Sequence, residues 1–435
     1  MLRRVAIAFA VTVPAFVLAS STVRTAAVSA VSAAPASTCG KGIDSTAALQ
    51  TWLNSQPANS TLTMPKGACW NVDGTVTIES TTGLTINGNG STFLQATAPT
   101  TSGPILQLWL DTTLTIENLN IHGALNPTGA NGGVSDEGDY GVEMEADDDV
   151  VLSGITMNEI QGDFIYLSPP YDVDKVSDAL NTGVWVIGST FQNSGYHGLS
   201  IESVQGFVVY GDTFTNIASD AIDLEYDDYS TPFNTDGTPY WAAQDGVAIL
   251  NSTWTNWNGS DWFVSDQGQT PGVQQQHVTI SGNTLNGDGP LFEISGTPTY
   301  ATDPSTSQQV STRYLNVFLT ITDNTMAPGG YGEPYRGGTS PAISILSVAV
   351  LDMENNDFPL CAGTFEYPQP SSLCSTPDEY VMDIYNITFG TFRNNNFSGA
   401  IGIVEPHTYD RRSAFLSECG NTYGVSGAQT DASCP

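Results

Sequence analysis

Four short segments of the chain share one pattern: Tyr140-Gly141-Val142-Glu143-Met144-Glu145, Asp163-Phe164-Ile165-Tyr166-Leu167-Ser168, His197-Gly198-Leu199-Ser200-Ile201-Glu202 and Asp220-Ala221-Ile222-Asp223-Leu224-Glu225. Apolar and polar residues alternate with the period of a strand that has one buried face. Val142, Ile165, Leu199 and Ile222 then point inward, and their neighbours form three polar columns. The first column reads Tyr140, Asp163, His197, Asp220 and Asp261. The second reads Glu143, Tyr166, Ser200 and Asp223, and the third Glu145, Ser168, Glu202, Glu225 and Asp266. Between residues 141 and 312 the only Lys or Arg is Lys175.

Carboxylates around a histidine, without cations, suit general acid–base cleavage of a glycosidic bond. Strands lie about 4.8 Å apart, so Asp163 and Asp220, two strands apart, fall near the separation used by inverting glycosidases, roughly 6.5–9.5 Å. Asp220 and Asp261, on adjacent strands, fall near the retaining distance of about 5 Å. Crowded acids resist simultaneous ionisation, so one stays protonated. The expected roles are Asp220 as general acid, Asp163 or Asp261 as activator of water, and His197 as the group that orients a carboxylate or holds a sugar hydroxyl. Tyr166, Glu202, Tyr226, Tyr229, Trp241 and Trp262 are the expected sugar-binding groups. The route requires no cofactor. Calcium would find oxygen ligands in Asp223, Glu225, Asp227 and Asp228. Against all this stands a structural reading, in which an Asp before such a strand simply closes the turn. His122, His277 and His407 lack acidic columns around them and read as surface residues.

What would position these strands is a repeat. An eight-residue block, apolar at positions one, three and eight and usually Gly, Asn or Asp at five or six, starts at Leu114, Val150, Val184, Phe207, Val247, Val278, Leu319, Leu351 and Gly390. The starts lie 23 to 41 residues apart. Such spacing, with no helical periodicity between blocks, predicts an all-β, single-stranded parallel β-helix of about ten coils stacked strand on strand. Met157, Phe191, Phe214, Trp254, Leu285, Met326, Phe358 and Phe397 should form one internal apolar stack, and Asn158, Asn193 and Asn216 an inward turn ladder. Insertions are expected at about 168–183, 226–246, 267–277, 294–318 and 359–387. An open coil needs a cover for its strand edges. A helix within residues 44–54, capped by Asp44 and apolar along Ala48, Leu49, Trp52 and Leu53, should supply it.

Arg3 and Arg4, an apolar run from Val5 to Leu18 and a small-residue stretch to Ala36 read as a secretory signal over residues 1–36, with the β-helix domain over 37–435. Its removal takes three of the eleven basic residues and no acid, making a formal charge of −34 more negative still. That excess of acid excludes nucleic acid and anionic lipid as partners. A secreted, extracellular monomer acting on a polysaccharide, with no membrane contact after processing, is expected. Six cysteines in an exported chain predict disulfides. Proximity pairs Cys361 with Cys374, Cys419 with Cys434, and Cys39 with Cys69.

The run D-S-T-A-A-L-Q from Asp44, M-P-K-G from Met64 and L-T-I-N-G-N-G-S-T-F from Leu84 resembles the opening of the pectate lyase-like superfamily, which implies a right-handed helix. The segment Tyr196-His197-Gly198-Leu199-Ser200-Ile201 resembles the G-H-G-I-S-I element of polygalacturonase-like glycoside hydrolases. The resemblance implies site roles for His197 by direct match and for Asp220 and Asp163 by position. The family's order of Asp, Asp, His differs from the order here, and its N-T-D and R-I-K elements have no counterpart. Three functions fit: a glycoside hydrolase with paired aspartates, a calcium-dependent polysaccharide lyase or epimerase, and a non-catalytic glycan-binding or surface protein.

Overall fold

The computed structural model describes residues 33–95, 103–125, 138–168, 180–224, 244–257, 261–266, 276–287, 289–295, 300–302, 309–311, 317–326, 343–346, 348–358, 382–385, 387–398, 415–424, 429–430 and 433–434. Nearly every strand pairs in parallel with the strand one coil away, which makes the chain a parallel β-helix. One face is a ten-stranded sheet running from Val76–Glu79 to Met382–Tyr385. It contains Val142–Glu145, Ile165–Ser168, Leu199–Ile201, Ile222–Asp223 and Val264–Asp266 in consecutive register. The other two faces are formed by the two halves of each repeat block and merge into a nineteen-stranded sheet.

The block explains itself at two positions. Position five is a sharp left-handed turn between the halves. Asn118, Gly154, Gly188, Gly211, Asn251, Gly282, Asp323, Asn355 and Asn394 all sit there with φ between 50° and 70°, a region open to Gly and tolerated by Asn and Asp. Position six turns inward and stitches coil to coil. The backbone N–H of Ile155 donates to Ser189 Oγ, that of Ser189 to Asp212 Oδ1, and that of Asp212 to Ser252 Oγ. Ser252, Asn283, Asn324, Asn356 and Asn395 continue the chain of bonds to Asn421 at 2.9–3.1 Å. Each buried turn amide thereby finds an acceptor that the sheets cannot supply.

Position eight is the expected stack. Met157, Phe191, Phe214, Trp254, Leu285 and Met326 are register partners, and all are buried with Phe358 and Phe397. Phe214 and Trp254 lie face to face, with centroids 3.9 Å apart. The Asn158–Asn193–Asn216 ladder also exists, extended to Asn256 by side-chain amide bonds of 2.8–3.1 Å, but it runs along the outside. Asn193, Asn216 and Asn256 have positive φ, which turns their side chains away from the core.

The cover is the helix Thr46–Asn54, which buries Leu49, Trp52 and Leu53 and leaves Ala48 exposed. Gln50 pairs through both its amide atoms with the backbone of Thr77, satisfying the open edge of the ten-stranded sheet. Asp44 stands one residue before the cap position. Its Oδ1 accepts Thr46 N–H at 2.9 Å and Asp73 N–H at 3.2 Å, tying helix to coil. Disulfides join Cys39 to Cys69 and Cys419 to Cys434; Cys361 and Cys374 lie outside the described residues, as does the leader through residue 32. Strands resume at Asn181, Gln244, Gln276, Val317 and Met382, each one to five residues before the end expected for its insertion. The fourth insertion carries an antiparallel pair, Tyr300–Thr302 with Gln309–Ser311. No helix among the described residues is long and apolar enough to cross a membrane.

Candidate active site

The outward side of the ten-stranded sheet holds the acids. Its middle column runs Gln107, Glu143, Tyr166, Ser200, Asp223, Ser265 and Glu293, each the register partner of the next. Beside it, just before the strands, Asp163, His197 and Asp220 follow one another on successive coils, as expected. Gly198 permits the close stacking there, since a Cβ on it would fall 2.4 Å from the carbonyl oxygen of Ala221.

His197 is the centre of the cluster, with 6% of its side chain exposed. Its Nδ1 lies 3.9 Å from Asp220 Oδ2 and its Nε2 lies 3.5 Å from Asp223 Oδ2. Both contacts are longer than a hydrogen bond. Burial drives the imidazole pKa down to about 4, against the raising influence of the Asp220 backbone carbonyl as an acceptor, so the ring is neutral at ordinary pH. His197, Asp220 and Asp223 each offer an atom within 4.8 Å of the others, the one grouping among the described residues that could hold a metal ion.

Asp163 is engaged differently. It is 2% exposed, its Oδ1 accepts the His197 backbone N–H at 2.8 Å, and its Oδ2 accepts the Ser200 hydroxyl at 2.8 Å. It fixes the backbone that carries His197. Asp220 makes a similar bond through Oδ1 to the backbone N–H of Trp262 and turns Oδ2 toward the histidine.

A second acidic group lies toward the N-terminal coils. Gln107 Nε2 donates to Glu145 Oε1 at 2.9 Å and Glu143 Oε2 at 3.4 Å, and the Tyr166 hydroxyl donates to Glu202. Burial, then the charges of Glu145 and Glu202, push the Glu143 carboxyl up to about 8; burial also raises Glu145. Burial and the Glu202 charge raise the Tyr166 phenol, so it stays a donor. Tyr166 stacks on Tyr140 with centroids 4.3 Å apart.

Three expectations change. Asp261 does not follow Asp220: Ile222 pairs with Val264 while Ile217 pairs with Trp257, so the turn here holds two extra residues and Trp262 takes the place beside Asp220. The same register puts Asp266 beside Ile294 on the inward side, 1% exposed, instead of in the third polar column. Trp262 and Tyr166, expected as sugar-binding groups, are each 5% exposed, and Trp257 belongs to the core. Tyr226, Tyr229, Trp241, Glu225, Asp227 and Asp228 lie outside the described residues. His122 pairs with Glu159 and His277 with Asp245 on the surface, as read from the sequence; His407 lies outside the described residues. Sequence reasoning separated Asp223 from His197 and missed Glu143 as a neutral acid. The i, i+3 spacing of Asp220 and Asp223 across the start of a strand was the available signal for the first.

No protein-family model matches the sequence, and no curated protein does. Among solved structures, a lacto-N-biosidase from Eubacterium ramulus is similar with a TM-score of 0.48 at 10% identity, over 86% of this chain and 64% of that one. A tailspike protein mutant of E. coli bacteriophage HK620, in complex with pentasaccharide, has a TM-score of 0.49 at 13% identity, over 89% of this chain and 64% of that one. PfbA, a surface adhesin of Streptococcus pneumoniae, has a TM-score of 0.45 at 13% identity, over 89% and 92%. The chain thus spans less than two thirds of the first two, and at these identities the likeness is one of fold. By its own parallel ladders, the chain is a parallel β-helix.

Proposed function

We propose that the protein is a secreted glycoside hydrolase that cuts a polysaccharide lying along the outward side of the ten-stranded sheet. One observation carries this reading: Asp220 and Asp223, on one coil, flank the neutral His197 of the coil before, with ligand atoms of all three within 4.8 Å. Asp220 serves as the general acid. Asp223 takes the second carboxylate role, because Asp163 already holds the His197 backbone and Ser200 with its two oxygens. Carboxylates this close match the retaining arrangement, near 5 Å, in which the second acts as nucleophile. His197 offers a sugar hydroxyl a hydrogen-bond partner. Asp163 is a positioning residue. The route calls for no cofactor. Export is supported by the leader-like N-terminus and the disulfides.

The test is a panel of neutral and acidic polysaccharides assayed both for new reducing ends and for the ultraviolet absorbance of unsaturated products. Reducing ends without unsaturation are expected. Unsaturated products sensitive to calcium chelation would replace this reading with the lyase. Glycan binding without cleavage would replace it with a non-catalytic role.

A further inference from the structure

His197 Nδ1 is sealed from solvent and, among the described residues, makes no hydrogen bond. A buried ring nitrogen in that condition is unfavourable by roughly 1–3 kcal/mol unless a ligand satisfies it. Asp220 Oδ2 lies 3.9 Å from Nδ1, too far for a hydrogen bond, and Asp223 Oδ2 lies 3.5 Å from the other ring nitrogen. We propose that His197, Asp220 and Asp223 form a three-ligand site for a divalent transition cation of the zinc type.

The chemistry of the set selects the ion. One imidazole nitrogen and two carboxylate oxygens match three-ligand zinc sites, in which bonds are about 2.0–2.2 Å and the fourth position is taken by water or substrate. Such bonds place ligand atoms roughly 3–4 Å apart, so atoms already within 4.8 Å of one another need move only by fractions of an ångström to about one. Calcium prefers six to eight oxygens and is the poorer fit. The imidazole is held neutral, the form a metal takes. The surroundings also pre-orient the ligands. Asp163 fixes the His197 backbone, and the Trp262 N–H donates to Asp220 Oδ1 and orients that carboxylate.

The site does not depend on hydrolysis, but it meets the proposed reaction at Asp220. A cation bound there displaces the acid's proton, so binding stops turnover by the acid–base route.

The experiment is calorimetric titration of the chelator-stripped full chain with zinc chloride, and with calcium chloride as a control, alongside melting curves. Wild type is expected to take up one zinc per chain with a raised Tm. Asp223→Asn, whose side chain is 14% exposed in the native protein, should weaken zinc at least about tenfold and keep the fold. His197→Gln should do the same. His277→Gln, which removes the exposed His277–Asp245 pair, should leave uptake unchanged. Absence of stoichiometric uptake, or uptake undiminished in Asp223→Asn, overturns the cation site. Activity separates the two readings: zinc inhibition of a glycan-cleaving enzyme supports both. If the stripped enzyme is inactive and zinc restores it, the cation site stands and the metal-free hydrolase falls. Full activity without any zinc uptake leaves the hydrolase standing and removes the cation site.

Discussion

Asp147→Asn should make the protein more stable at pH 8 and leave it nearly unchanged at pH 5. Asp147 is fully buried where the chain turns from the ten-stranded sheet into the next. Its Oδ1 accepts the backbone N–H of Asp111 at 2.8 Å, while its own N–H donates to Asn181 Oδ1 at 3.1 Å. Among the described residues, Asp147 Oδ2 has no hydrogen-bond partner. Burial, with the charge of Asp111 added, pushes the carboxyl up to about 8 from 3.8. A folded pKa above the unfolded one means that the fold binds the proton more tightly. Its contribution is therefore fully present below about pH 4 and is lost progressively as pH rises toward 8. A shift of about four units corresponds to roughly 6 kcal/mol at 1.4 kcal/mol per unit. Relaxation around the charge reduces that to on the order of 3 kcal/mol. Asn keeps the acceptor for Asp111 and adds a donor, which the next coil already uses: Asn181 Nδ2 donates to the carbonyls of Met144, Ser168 and Ser203 at 3.1–3.2 Å. Asp111 and Asp212, raised chiefly by burial to about 6 and about 7, act with the same sign in the wild type. Urea midpoints at pH 5 and pH 8 measure the effect. A variant with the wild-type pH slope, or one less stable at pH 8, refutes the reasoning.

Three further substitutions test the scaffold. Asn356→Ala removes two bonds donated to Ile321 and Asn395 and two accepted from Asn324; with the orphaned partners this should cost on the order of 4 kcal/mol in urea unfolding, and a loss under about 1 would show that the ladder is incidental. Phe214→Ala opens a cavity between Phe191 and Trp254 and should cost about 3–5 kcal/mol, read as a lowered Tm; an unchanged Tm contradicts the stack. Asp44→Ala loses the bonds to Thr46 and Asp73 and should cost about 1 kcal/mol, with amide exchange accelerated locally at the helix. Uniform acceleration across the chain would count against a local tie.

The coils were legible because each apolar position of the block has one interior to face. A period of two and a left-handed turn residue leave no other consistent stacking. The inward ladder was misassigned to Asn158, Asn193 and Asn216 because an asparagine in a turn can point either way. The sign of φ, invisible in sequence, decides it. The site was legible as far as register held. His197 and Asp220 fall where counting from Phe191 and Phe214 puts them, and Asp261 fails because two residues enter the turn before Val264. Composition could not reveal that Trp262 would be buried, or that Glu143 would be neutral. Glu143 is neutral because it is buried beside Glu145 and Glu202, a crowding across coils that strand patterning does not encode.

The central claim is that Asp220 and Asp223 carry out glycosidic cleavage. Its most direct test is the turnover of Asp220→Asn on whichever polysaccharide the panel identifies, with folding checked by circular dichroism. Asn can retain the acceptor for the Trp262 N–H and can still bind sugar, but it has no proton to give. The account predicts a loss of kcat of at least about 100-fold, the scale of general-acid catalysis, with the native fold preserved. Full turnover by the folded variant would contradict it.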